Sequence, residues 1–271
     1  MKWLEITVLF TEEIKEALLV YLLDLDIQGV IEEESAYKFY LPENVDPETI
    51  LTGDFGSLTY RTQLVEDENW AENWKKYWHA NKIGRFVIVP SWEQYDKRSD
   101  ETIIDLDPGM AFGTGAHETT ALVLELLGEV LPLPKTVYDI GTGTGILAIA
   151  AAKLGAKIFA FDTDPLAVDA SLANAKKNGV KDQVLVFGGD LLEDESLFPN
   201  ETPDLVMTNI IAEVIVQFVP LLKEKLGHFT WLLSGIIVER LPLVLGCLKE
   251  HGFTVTKRID KGEWVALEAR I

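Results

Sequence analysis

The chain has 271 residues, of which 48% are hydrophobic and 25% charged, enough to bury a core in one large domain or two smaller ones. No apolar run reaches the roughly 18 residues of a membrane span, and the first residues lack a signal-peptide pattern, so we expect a cytoplasmic protein. The single cysteine, Cys247, excludes an internal disulfide and a multi-cysteine zinc site, and the net charge of −20 argues against a direct grip on nucleic acid.

Residues 1–65 are predicted to form a small α+β domain. Hydrophobic residues at alternate positions from Leu4 to Phe10 indicate a strand, and Thr11 is a suitable N-cap for the helix that follows. The remaining predicted elements are a helix to residue 25, a hairpin at 29–34 and 37–41, a short helix at 46–51 and a strand at 58–64. The order βαββαβ is typical of a ferredoxin-like domain.

The acidic charge is unevenly spread over the chain. Residues 1–60 hold 3 basic and 13 acidic side chains, which is half of the net charge in less than a quarter of the length. This surface is either a solvated, solubilising one or a docking face for a basic partner, since complementary fields steer encounter.

Residues 66–95 are predicted to connect the small domain to the rest of the chain. Trp70, Trp74 and Trp78 recur every four residues and therefore share one face of a predicted helix. That face either packs on a neighbouring element or is an exposed recognition surface. Two strand-like runs follow, at 85–92 and 102–106.

Residues 96–271 alternate between strand and helix patterns. Strands are predicted at 136–140, 157–161, 184–187, 205–207 and 230–233, and helices at 117–130, 146–154, 165–177, 214–226 and 238–251. Such alternation predicts a parallel, doubly wound, Rossmann-like α/β sheet. The last two strand patterns flank residues 260–262 and predict an antiparallel hairpin at the C-terminus.

A glycine-rich turn, Asp-Ile-Gly-Thr-Gly-Thr-Gly at 139–145, separates a predicted strand from a predicted helix. Glycines let a ligand approach the backbone closely, and the amides that begin the helix favour an anionic group. Asp162 ends the next strand, 21 residues after Gly141, where its carboxylate can accept hydrogen bonds from both hydroxyls of a ribose. Gly141, Gly143 and Asp162 therefore predict a site for a nucleoside cofactor.

The spacing of these glycines indicates which cofactor. It is G-x-G-x-G, whereas dinucleotide-binding proteins use G-x-G-x-x-G. Asp139 beside the loop would suit the cationic side of S-adenosylmethionine, and an antiparallel hairpin is the usual end of a methyltransferase sheet. We expect S-adenosylmethionine, with S-adenosylhomocysteine as product, and no metal, because the four histidines at 79, 117, 228 and 251 are scattered.

Asn209 ends the fourth strand of this sheet, near the crevice in which such sheets bind ligands. Its amide oxygen can accept a hydrogen bond from a substrate amine and aim the nitrogen lone pair at a methyl group. The alternative is that Asn209 caps the following helix.

A second loop, DPGMAFGTGAHETT at 107–120, lies just before a predicted helix. Its three glycines and one proline suit a lid that closes over a cofactor, although ordinary loops have the same composition. His117 within it is, on the sequence alone, more typical of a structural or capping histidine than of a base.

Together these segments resemble the ribosomal protein L11 methyltransferase family, class I enzymes that use S-adenosylmethionine. The resemblance covers essentially the whole chain, in order. Its matching segments are WLEI (3–6), ENW (72–74), DPGMAFGTGAHETT (107–120), DIGTGTGILAIAAAKLGA (139–156), FDTDPLAV (161–168), NAKKNGV (174–180), DLVMTNIIA (204–212), SGI (234–236) and GEWVAL (262–267). The glycine loop is common to all class I methyltransferases, whereas the 107–120 segment and Asn209 with residues 210–212 are much more specific.

The resemblance implies a ferredoxin-like domain that recognises the ribosomal protein, free or on the large subunit, and a linker helix that joins it to the methyltransferase domain. It implies methylation of lysine side chains and of the N-terminal amine. The cofactor contacts that it implies, with the 112–117 loop nearby, are Thr120, Gly141, Gly143, Asp162, Asn209, Phe112, Gly113, Thr114 and His117. Two departures, Glu118 where many members have proline and Ala173 where many have glutamate, lie at positions to which we assign no catalytic role.

Other classes of function remain open from the sequence. The chain could methylate another protein, RNA or a small molecule, although its charge disfavours RNA and its separate N-terminal domain favours a macromolecule. It could also bind a cofactor without catalysis, or use a nicotinamide cofactor.

Overall fold

A computed structural model describes residues 2–11, 14–15, 18, 21–22, 30–33, 35–43, 45–51, 58–66, 79–107, 117–130 and 132–271. The chain divides into two compact units, Met1–Trp78 and His79–Ile271. Residues 79–95, predicted as part of a connecting segment, thus belong to the second unit. The predicted tryptophan helix and the glycine-rich part of the 107–120 loop lie outside the described residues. In the part of the chain that is described, no helix is long and apolar enough to cross a membrane.

The first unit contains an antiparallel sheet with the strand order β2-β3-β1-β4. Its described elements are β1 (Lys2–Leu9), β2 (Ile31–Glu33), β3 (Ala36–Pro42), a short helix α1 (Pro47–Ile50) and β4 (Tyr60–Glu66). Alternate residues of β1 and β3, among them Ile6, Val8, Tyr37 and Phe39, are buried on one face and form its core. Most of the helix predicted at 11–25 lies outside the described residues.

The second unit begins with a small sheet of three strands, β5 (Asn81–Ile83), β6 (Phe86–Val89) and β7 (Thr102–Asp105). Strand β5 was not predicted, because three residues are too few to show an alternating pattern. The Glu101 side chain is fully buried beside this sheet, where its carboxylate pairs with Lys82 at 2.7 Å and accepts hydrogen bonds from the Tyr95 hydroxyl and the Arg98 amide. These contacts lower the pKa of Glu101 to about 2.

The larger sheet has seven strands in the order β10-β9-β8-β11-β12-β14-β13. Its strands are β8 (Thr136–Ile140), β9 (Lys157–Asp162), β10 (Val184–Gly188), β11 (Leu205–Asn209), β12 (Thr230–Ile237), β13 (Thr254–Lys261) and β14 (Trp264–Arg270). The first five in chain order run parallel, whereas β14 pairs antiparallel with both β12 and β13. The predicted doubly wound, Rossmann-like α/β sheet is confirmed.

Helices cover both faces of this sheet. They are α2 (Glu118–Glu129), α3 (Ile146–Lys153), α4 (Pro165–Lys177), α5 (Ala212–Leu226) and α6 (Leu241–Glu250), the last preceded by a 3-10 turn at Val238–Arg240. Residues of α2, α3 and α4 contribute to one hydrophobic core, and those of α5 and α6 to a second. Because apolar side chains leave water on both faces, the central strands are almost wholly buried.

Strand order reverses between β8 and β11, which lie side by side although they are far apart in the chain. The chain winds outward from β8 through β9 to β10, and then in the other direction from β11 to β12. At such a reversal the loops after neighbouring strands turn to opposite faces and leave a crevice at the carboxyl ends of the strands. The fold therefore places a crevice between residue 141 and residue 209.

Candidate functional site

A cavity of about 520 Å³ occupies this crevice. Of the residues singled out from the sequence, Gly141, Gly143, Asp162 and Asn209 line it. They come from the ends of three strands, so the topology brings together residues that are up to 68 positions apart. The structure thus brings the glycine loop, Asp162 and Asn209 together at one edge of the sheet.

The glycine loop is held by hydrogen bonds to β9. The amides of Gly141 and Thr142 both donate to the carbonyl oxygen of Phe161, at 2.9 and 3.0 Å. The Gly145 amide donates to the carbonyl oxygen of Thr142 at 2.8 Å and closes the turn that starts α3. The loop is thus fixed by its own backbone before any ligand binds.

Asp162 is tied to the same loop. Its Oδ2 accepts the Gly143 amide at 2.8 Å, and its Oδ1 accepts the Asp164 amide at 3.0 Å. A carboxylate oxygen can accept two hydrogen bonds, so each oxygen keeps capacity for a ligand hydroxyl. Because both oxygens are fixed by backbone donors, the carboxylate is oriented in advance for a pair of neighbouring hydroxyls such as those of a ribose.

Asp139 does not face the cavity, contrary to the expectation that it would contact the cationic side of the cofactor. Its side chain is completely buried, and its Oδ2 accepts hydrogen bonds from the Thr142 hydroxyl at 2.7 Å and the Ala148 amide at 3.1 Å. Its Oδ1 has no partner among the described residues. Burial raises the pKa of Asp139 to about 7, against the lowering effect of these two donors. Asp139 therefore stabilises the glycine loop and the start of α3 from within the core.

Asn209 meets Thr120 across 89 positions of sequence. The Nδ2 of Asn209 donates to the Oγ1 of Thr120 at 3.1 Å, while its Oδ1 is buried and has no hydrogen-bond partner in the described part of the chain. Helix α5 has Ile211 as its N-cap residue and no side-chain capping bond, so the alternative role of Asn209 as a cap is wrong. The structure thus holds the amide through its nitrogen and leaves its buried oxygen without a partner among the described residues.

His117 is the N-cap of α2. Its Nδ1 accepts the Thr119 amide at 3.3 Å, and its ring lies edge-on to Trp264 with 5.1 Å between centroids. This is the capping role that the sequence favoured for an isolated histidine, and a cofactor contact by His117 stays a prediction. Phe112, Gly113 and Thr114 lie outside the described residues. Within the described ranges, no group of three or more histidine, cysteine or acidic side chains is arranged to hold a metal.

Sequence reasoning missed the wall of the cavity beyond β10. Asp190 and Leu191 follow that strand and line the cavity together with Phe218 of α5. Asp190 Oδ1 accepts the Leu192 amide at 2.9 Å, which fixes the carboxylate at the end of the strand. An apolar wall with one oriented acceptor suits a flat base that carries an amino group. The signal in the sequence was an acid after a strand-like run, the same signal that identified Asp162.

The residues present fit a nucleoside cofactor with a charged amino acid end. Asp162 offers oriented oxygens for ribose hydroxyls, and the wall at Asp190 and Leu191 offers a slot for a base. Asn209 also lines the cavity, and its buried Oδ1 has no hydrogen-bond partner among the described residues.

Comparison with known proteins shows which family the chain resembles. A family model described as ribosomal protein L11 methyltransferase (PrmA) matches residues 42–271. The ribosomal protein L11 methyltransferase of Pelotomaculum thermopropionicum is 44% identical over 225 residues, covering 82% of this chain and 71% of that protein. The one from Carboxydothermus hydrogenoformans is 46% identical over 213 residues, covering 77% and 68%.

A solved structure, the ribosomal protein L11 methylase of Lactobacillus delbrueckii subsp. bulgaricus, superposes with a TM-score of 0.65 at 36% identity. The match covers 71% of this chain and 98% of that one. The resemblance drawn from the sequence motifs is therefore confirmed, and the chain belongs to the ribosomal protein L11 methyltransferase family.

Proposed function

We propose that the chain transfers methyl groups from S-adenosylmethionine to amines of ribosomal protein L11, on lysine side chains and on the N-terminal amine. Membership of the family supports the reaction and the substrate. The observation that carries the choice of an amine is the Asn209 amide, held through its nitrogen and unpartnered at its buried oxygen among the described residues. An unpaired buried acceptor is costly, so it favours a ligand that donates a hydrogen bond, as the N–H of an amine does.

In this proposal the cofactor supplies a methyl group bound to a positively charged sulfur. Asn209 Oδ1 accepts one N–H of the substrate amine and turns the nitrogen lone pair toward that methyl group. Thr120 keeps the amide from rotating. A free lysine has a pKa of about 10.4, so the amine must lose a proton before it attacks, and desolvation beside a positive charge favours the neutral form.

No side chain is needed as a strong general base in this scheme, and water takes the proton. Alignment of two reactants in a water-poor cavity can supply up to ~7–11 kcal/mol of a barrier. Most of the acceleration would then come from the fixed loop, Asp162 and Asn209. Cofactor contacts by Thr120, His117 and the 112–114 segment complete the proposed site.

We also infer that the first unit is a ferredoxin-like domain that recognises the substrate. The antiparallel strand order β2-β3-β1-β4 is the order that a βαββαβ chain adopts in that fold, which supports the assignment. The proposed division is a recognition domain at 1–65, a connecting segment at 66–78 and a methyltransferase domain that begins with the second unit at residue 79. The acidic charge of residues 1–60 suits a basic ribosomal protein, free or on the large subunit, in the cytoplasm.

The test is incubation with methyl-labelled S-adenosylmethionine and a mixture of purified ribosomal proteins, followed by mass spectrometry of each protein. We expect label on L11, at lysine and at the N-terminal amine, and far less label with Asn209→Ala. Label on another protein with none on L11 would reject the substrate. Calorimetry supplies the cofactor control, because tight binding of NAD without binding of S-adenosylhomocysteine would reject the methyltransferase reaction itself.

A further inference from the structure

Strand β12 is interrupted beside the site. Its pairing with β14 shifts register between Leu233 and Ile236, and Gly235 within this bulge has a φ of +85°. The Ser234 carbonyl oxygen, just before it, accepts the amide of Ile210 at 3.2 Å. The bulge thus contacts the peptide that directly follows Asn209.

Gly235 leaves no space for a side chain. A Cβ at this position would collide with the carbonyl oxygen of Ile210, and would lie 2.7 Å from its carbonyl carbon and 2.9 Å from its nitrogen. All three atoms are backbone, so no rotation of a side chain relieves the contact. The backbone of β12 therefore lies against the backbone of Ile210 at a distance that only glycine permits.

Ile210 is held from the other side by the glycine loop. A Cβ on Gly141 would lie 2.5 Å from Ile210 Cγ2, which is the tip of a side chain and not backbone. Ile210 thus lies close to Gly141 through its side chain and close to Gly235 through its backbone. We call these three residues the Ile210 clamp. The clamp links the loop predicted to seat the cofactor to the residue predicted to orient the amine.

We propose that Gly235 is a positioning residue for methyl transfer, and that it acts by fixing, through the Ile210 clamp, where the Asn209 amide stands relative to the glycine loop. The proposal rests on the proposed function, because Asn209 must orient the amine for its position to matter. The clamp predicts that a displaced Ile210 peptide misplaces the reacting amine and leaves the Asp162 and Asp190 contacts to the cofactor in place.

The test is the variant Gly235→Ala with Gly252→Ala as its matched control. Gly252 has a φ of +83°, and a Cβ there meets only Lys223 Nζ at 3.7 Å, so both variants carry the same backbone strain but only one collides with a peptide. We expect kcat to fall roughly 100-fold in Gly235→Ala, in line with the effect of a displacement of about 1 Å. The dissociation constant of S-adenosylhomocysteine should change less than about fivefold, and Gly252→Ala should keep the kcat of the parent.

A double-mutant cycle shows whether Gly235 acts through Asn209. If it does, Asn209→Ala costs far less turnover in the Gly235→Ala background than in the parent. Equal losses in the two backgrounds, or a Gly235→Ala kcat within about threefold of that of Gly252→Ala, would overturn the proposal.

Two further measurements keep the proposal separate from the proposed function and from a folding failure. The NMR resonances of the Asn209 side-chain amide, assigned with Asn209→Ala, should shift in Gly235→Ala and stay in place in Gly252→Ala. This expectation holds whether or not L11 is the substrate. Unshifted resonances in Gly235→Ala would count against the clamp. If Gly235→Ala does not fold, Gly141→Ala probes the other side. Adding Ile210→Ala removes the colliding Cγ2 and should restore turnover roughly tenfold, and no restoration would overturn the clamp.

Discussion

The hydroxyl of Thr120 is the acceptor that holds the Asn209 amide, so Thr120→Val removes this one hydrogen bond and keeps nearly the same shape. Thr120 is completely buried, and its Oγ1 lies 3.1 Å from Asn209 Nδ2. Valine leaves that N–H without an acceptor, which costs about 1–3 kcal/mol when the group is buried. The amide can then rotate away from the orientation in which Oδ1 meets the amine.

A loss of about 1.4–2.8 kcal/mol in the transition state corresponds to a fall in kcat of roughly 10- to 100-fold. The assay is kcat with saturating L11 and S-adenosylmethionine, together with the dissociation constant of S-adenosylhomocysteine by calorimetry. We expect the loss in kcat, with a much smaller change in affinity. Thr120→Ser keeps the hydroxyl and should keep most of the turnover.

Thr208→Val is the matched control for lost stability. Thr208 is also completely buried, and its Oγ1 accepts the Trp231 Nε1 hydrogen bond at 3.1 Å, away from the cavity. Both variants leave one buried N–H unpaired, so they should unfold at similar urea concentrations. A kcat for Thr120→Val within about threefold of that for Thr208→Val would refute the role of Thr120. An affinity loss as large as the kcat loss would show that Thr120 acts mainly through its proposed cofactor contact and not through Asn209.

Three other measurements test charge. The lowered pKa of Glu101, about 2, stabilises the fold above pH 4.5, and this stabilisation is lost as pH falls to about 2, so the urea midpoints of the parent and Glu101→Gln should converge over that range. The pH dependence of stability due to Asp139 has the opposite sign, because its raised pKa keeps a proton in the folded state that the unfolded chain has released. Between about pH 4 and 7 the stability of the parent should fall relative to that of Asp139→Asn by roughly 1 kcal/mol per pH unit. A constant difference in stability would contradict this. If the acidic residues at 1–60 dock L11, KM for L11 should rise steeply between about 0.05 and 0.5 M salt, whereas affinity for S-adenosylhomocysteine should not; an unchanged KM would leave the charge a solubilising role.

The sheet could be predicted from the sequence because each central strand is a short apolar run bounded by glycine or a polar residue. The same property hides side-chain direction. All of residues 137–140 are buried, so no polar alternation shows that Asp139 points into the core and not at the ligand. The positions of Asp162 and Asn209 could be predicted, since a residue that ends a parallel strand must lie at the carboxyl edge.

Contacts between distant segments could not be predicted from spacing. Thr120 was known as a site residue only through the family resemblance, and its bond to Asn209 spans 89 positions. The segment containing Gly235 matched a family motif, but the sequence did not explain why glycine is needed there. The explanation is the close backbone of Ile210, 25 positions away. The first contact depends on how α2 packs against β11, and the second on how β11 and β12 register. Local patterns encode neither.

Asp162 and Asn209 both line the cavity, but different parts of the chain fix their side chains. Asp162, proposed to hold the nucleoside, is oriented by the neighbouring loop, because it accepts the Gly143 amide. Asn209 is instead held from outside that loop, by Thr120 on α2 and by the bulge at Gly235. Changes to these outer supports should therefore lower turnover more than cofactor affinity, whereas changes at Asp162 should weaken cofactor binding first. A site built in this way can bind its cofactor before the substrate amine arrives, since the groups that seat the nucleoside do not depend on those that orient the amine.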